Sequence, residues 1–207
     1  MKTRFTTQVR LHVYACTVAH GNSTMQFTVT YDYPACLKRL WTIFGEAEYP
    51  SSKYIALGAT AVRMRGFHAT ARLIEVELER DVPVQRSQLP IWTRAFVGRQ
   101  QTLEHRSVWR LISPTQADAE LDIAVVGLPA HAHGVGSIVE LGDELTRMEL
   151  TWQVESTLGG AIARLFAEQV RAALRDDHVF TLKYLQRVVE HTESVPRGGT
   201  PTARQAK

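Results

Sequence analysis

From Leu158 to about His191 the chain contains no proline and, after Gly160, no glycine. That predicts one continuous helix, far longer than the ~11–12 residues usual in globular domains. At ~100° per residue, Ile162, Phe166, Val170, Ala173, Phe180, Tyr184 and Val188 form one apolar stripe, flanked by Leu174 and Leu185. Arg164, Glu168, Arg171, Arg175, Gln186 and Glu190 lie on the other side. No apolar run in the chain approaches the ~20 residues of a membrane-spanning helix. The long helix therefore has a dry side to bury and a wet side to expose.

The rest of the chain reads mainly as strands. Met25 to Tyr33 alternates, with Phe27, Val29 and Tyr31 against Thr28, Thr30 and Asp32. Pro34 opens a helical stretch carrying Leu37, Leu40, Trp41 and Phe44, with Gly45 near its end, and a second short helix is predicted over 51–57. Strand-like runs follow at about 59–67, 69–80, 101–112, 116–126, 131–141 and 145–156. Ile74, Val76 and Leu78 share a face against Glu75, Glu77 and Glu79, and Leu121, Ile123 and Val125 oppose Asp118, Glu120 and Asp122. Met148, Leu150, Trp152 and Val154 likewise oppose Arg147, Glu149, Thr151, Gln153 and Glu155. One dry and one wet face is the pattern of an antiparallel sheet. Hairpins are expected at Ser113-Pro114-Thr115 and Gly142-Asp143. Between strands, 83–99 places Leu89, Trp92 and Phe96 at helical spacing, which predicts a short rim helix, either simply packed or closing a pocket as a lid.

The formal net charge of +3 over 207 residues suggests nucleic acid until the charges are located. Lys2, Arg4 and Arg10 in residues 1–24, and Arg197, Arg204 and Lys207 in 194–207, have no acidic neighbours in their segments. Without them, 18 basic and 21 acidic residues remain, a balance of −3. A nucleic-acid footprint clusters on the folded surface, so no nucleic-acid partner is expected. Residues 1–24 are too polar for the apolar core of an export signal, and are read as a flexible leader or as preceding a true start at Met25. The domain is placed at 25–192, a disordered tail at 193–207, and the protein in the cytoplasm. Cys16 and Cys36 lack the spacing of a disulfide framework or a zinc site.

The order strand, two helices, six strands and long terminal helix resembles the START-like helix-grip superfamily (SRPBCC). The residues carrying the likeness are Met25-Gln26-Phe27 to Tyr33-Pro34, Trp41 and Phe44, Leu89-Pro90-Ile91-Trp92 to Phe96-Val97-Gly98, Leu103 to Trp109, and Leu158-Gly159-Gly160. Within that superfamily the chain is most similar to the bacterial domain-of-unknown-function family numbered 2505. The resemblance implies an α+β helix-grip fold: a curved antiparallel sheet of about seven strands wrapped around the C-terminal helix. It also implies an internal cavity, as in relatives that carry lipids or hormones or act as polyketide cyclases and dehydratases.

Alternation points Ile74, Val76, Leu78, His105, Ser107, Trp109, Met148, Leu150 and Trp152 toward such a cavity, with Phe166, Val170, Asp177 and Phe180 facing it from the helix and Trp92 and Phe96 from the rim. Asp177 interrupts the apolar stripe, and a buried carboxylate must find a partner, become protonated, or face a wet cavity. It reads either as a polar anchor or acid–base group inside the cavity, paired with His105, or as a local cap, a partner of a neighbouring arginine, or a residue near the cavity mouth. His131 and His133 share a strand face and could supply two metal ligands, but no further motif completes a set, so no metal is expected. Ser107 and His105 lack a nucleophile elbow, and Gly134-Val135-Gly136 lacks the third glycine and following helix of a dinucleotide loop, so no cofactor is expected. The first reading is a non-catalytic protein that binds a hydrophobic or amphipathic small molecule such as a lipid. The alternatives are a cyclase/dehydratase-like enzyme using Asp177 and His105, and an interaction module with a filled core.

Overall fold

The computed structural model describes residues 10–19, 22–84 and 98–194. In chain order the elements are β1 Arg10–Ala19, β2 Asn22–Tyr33, α1 Leu37–Phe44, α2 Tyr49–Ala56, β3 Ala61–Ala69, β4 Leu73–Pro83, β5 Gln100–Ser113, β6 Gln116–Val125, β7 Ala130–Gly142, β8 Leu145–Ser156 and α3 Gly160–Ser194. This is the α+β helix-grip arrangement: one antiparallel sheet and a 35-residue C-terminal helix. The sheet order is β1-β2-β8-β7-β6-β5-β4-β3, a meander from β3 to β8 closed on β2.

The two expected hairpins close where the turn residues stand, with Ser113 opposite Gln116 and Gly142 opposite Leu145. Register shifts at Met64/Gly66, Leu111/Ser113 and Glu140/Gly142 bend the strands that carry them. Gly45 caps α1, and Pro50 sits in the first turn of α2, where no backbone N–H is required.

The sheet has eight strands, against the expected count of about seven. Residues 10–19 of the expected leader form β1, paired with β2 from Arg10 opposite Thr30 to Ala19 opposite Asn22. β2 itself begins three residues before Met25, at Asn22. Val13, Tyr14, Thr17 and Val18 favour an extended pleated chain, and β2 offers a row of unpaired backbone groups on that side. The expected rim helix with Leu89, Trp92 and Phe96 lies outside the described residues. The backbone on either side of it is joined, Val84 N donating to Arg99 O at 2.9 Å.

The inner sheet face follows the predicted alternation. Phe27 and Val29 of β2, Leu150, Trp152 and Val154 of β8, and Ile138 of β7 are at most 1% exposed. Burying each such side chain stabilises the fold by roughly 1.5–3 kcal/mol before chain entropy is counted. The outer face carries cross-strand ion pairs, among them Arg147–Asp32 and Arg63–Glu79.

On α3 the buried seam is Ile162, Phe166, Val170, Leu174, His178, Thr181 and Leu185, at steps of three and four. Against the predicted stripe it is rotated, so Phe180 and Tyr184 lie on its flank beside α2. There Phe180 packs 5.9 Å from the ring of Tyr49.

Candidate functional site

Between the inner sheet face and α3 lies a cavity of about 70 Å³. Five elements of sheet supply its walls: Tyr31 and Tyr33 from β2; Met148, Leu150 and Trp152 from β8; Leu121 and Ile123 from β6; His105, Ser107 and Trp109 from β5; Val76 and Arg80 from β4. Val170, Ala173, Leu174, Asp177, His178 and Thr181 of α3 form the roof, and Tyr49, Lys53 and Tyr54 of α2 close one side. A buried water needs roughly 10–15 Å³ of such space, so the cavity has room for water.

Its floor depends on small residues in β7. A Cβ on Gly134 would stand 2.7–2.9 Å from three ring atoms of Trp152. Only glycine lets the indole lie across that strand. The glycines of the Gly134-Val135-Gly136 run are therefore packing devices: on Gly136 a Cβ would collide with the carbonyl oxygen of Glu149.

Asp177 is paired. Lys53 Nζ donates to its Oδ2 at 2.9 Å, with the two side chains 14% and 29% exposed. Burial pushes the Lys53 ammonium toward losing its proton, but Asp177, together with the Tyr54 and Tyr49 phenols, outweighs that and leaves its pKa raised. Thr181 Oγ1 donates to the Asp177 backbone oxygen at 2.9 Å and accepts from the Tyr49 hydroxyl at 2.7 Å. The anticipated partnership with His105 is not made. His105 Nε2 instead lies 3.2 Å from the Tyr54 hydroxyl.

The cavity histidines are neutral. Burial, with the positive charges of Arg80 and Lys53, holds the His105 pKa well below its ordinary value. His178 is lowered by burial, against the opposing pull of Asp177 and Asp32. Its ring stacks on Tyr31 at 4.6 Å and meets Tyr33 edge-on at 4.8 Å. Burial also raises Tyr31, Tyr33 and Tyr49, so these phenols remain protonated. Four buried polar atoms at the cavity wall make no hydrogen bond: Arg80 Nε, Trp152 Nε1, and both ring nitrogens of His178.

Of the residues expected at a cavity, Val76, His105, Ser107, Trp109, Met148, Leu150, Trp152, Val170 and Asp177 line it. Ile74, Leu78, Phe166 and Phe180 do not. Ile74 is taken up under α1, 3.8 Å from where a Cβ on Gly45 would stand, and Phe166 lies a turn beyond the roof toward the start of α3. Leu78 is in the core, and Phe180 has turned to α2. Trp92 and Phe96 lie outside the described residues.

Arg80 and His178 escaped sequence reasoning, although Arg80 carries a readable signal. It continues the inward series Ile74, Val76, Leu78, so a cation stands where an apolar residue is expected. The metal reading of His131 and His133 belongs to the outer face. There His133 Nδ1 is 2.7 Å from Asp122 Oδ1, and Glu120, Asp122 and His133 bring ligand atoms within 4.8 Å of one another.

Comparison with known proteins fits this architecture. The profile of the family described as "Protein of unknown function (DUF2505)" matches residues 28–185. The chain belongs to the DUF2505 family. A solved neighbour of this DUF2505 protein is the Zhui aromatase/cyclase from Streptomyces sp. R1128, 16% identical, covering 85% of this chain and 99% of that one, with a TM-score of 0.50. Human STARD10 is 11% identical over 86% of this chain and 77% of that one, also with a TM-score of 0.50. At these identities the likeness establishes the shared START-like fold. No curated protein matches the sequence. Among the described residues, no helix is long and apolar enough to cross a membrane.

Proposed function

We propose that this DUF2505 protein is a binding protein for a compact hydrophobic or amphipathic small molecule, held between the sheet and α3. The observation that carries the reading is the cavity itself: largely apolar walls whose lining residues Arg80, Trp152 and His178 carry four buried polar atoms without a hydrogen bond. Apolar pockets with a few placed polar groups are the usual form of small-molecule sites, and a filled core would have no use for the unbonded nitrogens. The volume of about 70 Å³ limits the ligand. An apolar cavity of ~150 Å³ takes benzene, so an occupant of that size or larger, hexanol and a lipid chain included, enters as the Trp109, Met148 or Trp152 side chains swing aside. We assign the protein a cytoplasmic setting, which fractionation of its host would check.

Titration with hexanol, followed by tryptophan fluorescence, tests the proposal. Binding should saturate in the wild type and disappear in Ala173→Leu, which fills the cavity from its roof. Equal binding by the two proteins would place the probe elsewhere and refute the reading.

A second reading is an enzyme in the same cavity, favoured by the two neutral imidazoles at its wall. His178, whose ring nitrogens are free, is better placed as a base than the Asp177–His105 pair, whose members bond to Lys53 and Tyr54 instead. Turnover that vanishes in His178→Phe while binding persists would support it.

A further inference from the structure

The charges around the cavity do not balance. Its charged side chains are Lys53, Arg80 and Asp177. Lys53 and Asp177 satisfy each other at 2.9 Å, which leaves Arg80 over. Arg80 is 7% exposed, its Nε makes no hydrogen bond, and its guanidinium carbon sits 4.1 Å above the Tyr54 ring. The two carboxylates beside it in sequence, Glu79 and Asp81, point to the opposite face of β4. There Arg63 and Arg65 hold Glu79, and Arg63 and Thr102 hold Asp81. Segments 1–22 and 85–97 contain no aspartate or glutamate at all, so neither can supply a side-chain carboxylate.

A guanidinium keeps its proton in any protein environment, and an unpaired buried cation costs several kcal/mol. Arg80 therefore has one excess positive charge to offer, in a planar fork of donors. Within reach of the same end of the cavity are two uncharged hydrogen-bonding groups, the Tyr54 hydroxyl and the His105 imidazole. One unit of positive charge suits a monoanion rather than a phosphate dianion. The fork matches the two oxygens of a carboxylate. Val76, Leu121, Ile123 and Trp152 offer the remainder of the ligand an apolar surface.

We infer that Arg80 is the head-group site for a monocarboxylate, and that the physiological ligand is a small carboxylic acid with an apolar body. The inference rests on the binding function proposed above and specifies its ligand class. Arg80 selects the anion, and the apolar walls select the body.

The experiment compares hexanoate with 1-hexanol on the full chain at pH 7.5 by fluorescence or NMR titration, in wild type, Arg80→Met and Arg80→Lys. Wild type should bind hexanoate at least tenfold more tightly than hexanol. Arg80→Met should abolish that preference and leave hexanol binding within about twofold, while Arg80→Lys, which keeps the charge without the fork, should retain part of it. Equal binding of the two probes by wild type, or a preference that survives Arg80→Met, overturns the head-group assignment and leaves the cavity reading standing. Binding of neither probe by wild type overturns both. The wild-type comparison and Arg80→Lys keep the test decisive should Arg80→Met fail to fold.

Discussion

Acidification from pH 7.0 to 5.5 should destabilise this protein through two histidines, and His178→Phe should remove one share of the loss. His105 and His178 are 8% and 1% exposed, and burial lowers the pKa of each. The unfolded chain titrates its histidines near pH 6.5, so below that pH it binds protons that the folded protein does not. Stability is therefore complete above about pH 6.5 and declines as the pH falls toward the folded-state values. For a histidine that stays neutral in the fold, the loss between pH 7.0 and 5.5 is about 1.3 kcal/mol, so the pair contributes up to about 2.5 kcal/mol. That is a large part of the ~5–15 kcal/mol typical of a domain. Arginine contacts hold Asp81 at a pKa of about 2 and also lower Glu79, so those carboxylates stay ionised across this interval. The assay is urea unfolding at the two pH values, read by tryptophan fluorescence. In His178→Phe the drop should shrink by up to about 1.3 kcal/mol, because a phenyl ring keeps the stack on Tyr31 and cannot take up a proton. A wild-type stability that is flat over this interval, or an unchanged drop in His178→Phe, would refute the assignment of neutral buried imidazoles.

Other perturbations follow from the same geometry. Lys53→Met strands the partly buried Asp177 carboxylate and should cost about 2 kcal/mol, less than for a fully buried pair because water still reaches Asp177; adding Asp177→Leu should recover most of it, as urea unfolding of both variants will show. Gly134→Ala forces the Trp152 indole off β7, with an expected cost of about 1–3 kcal/mol and a shifted tryptophan emission spectrum. Arg63→Ala removes an exposed fork on Asp81 and Glu79, and its midpoint of thermal unfolding should equal that of wild type within error at 0.15 M salt.

The architecture was legible because its signals are local. A helix free of glycine and proline, strands with strict alternation, and turn residues between them act within a few positions of one another. β1 was harder to see: its residues favour strand, but its placement depends on the open edge of β2, which sequence does not display. Asp177 stood out as a carboxylate in an apolar stripe. Its partner did not, because Lys53 lies 124 positions away on α2. Arg80 could have been marked by the same reasoning as Asp177, since each breaks a buried series. The fit of Trp152 over Gly134 was beyond reach, because it requires the register that places these two residues opposite each other on β8 and β7.

The central claim is that the space between the sheet and α3 takes a small amphipathic acid. A crystal structure of the protein saturated with hexanoate tests it most directly. The account predicts density for the acid inside the cavity, its carboxylate on the Arg80 guanidinium and its chain along Trp152. Side chains closed over the cavity, or water alone within it at saturation, would contradict the account.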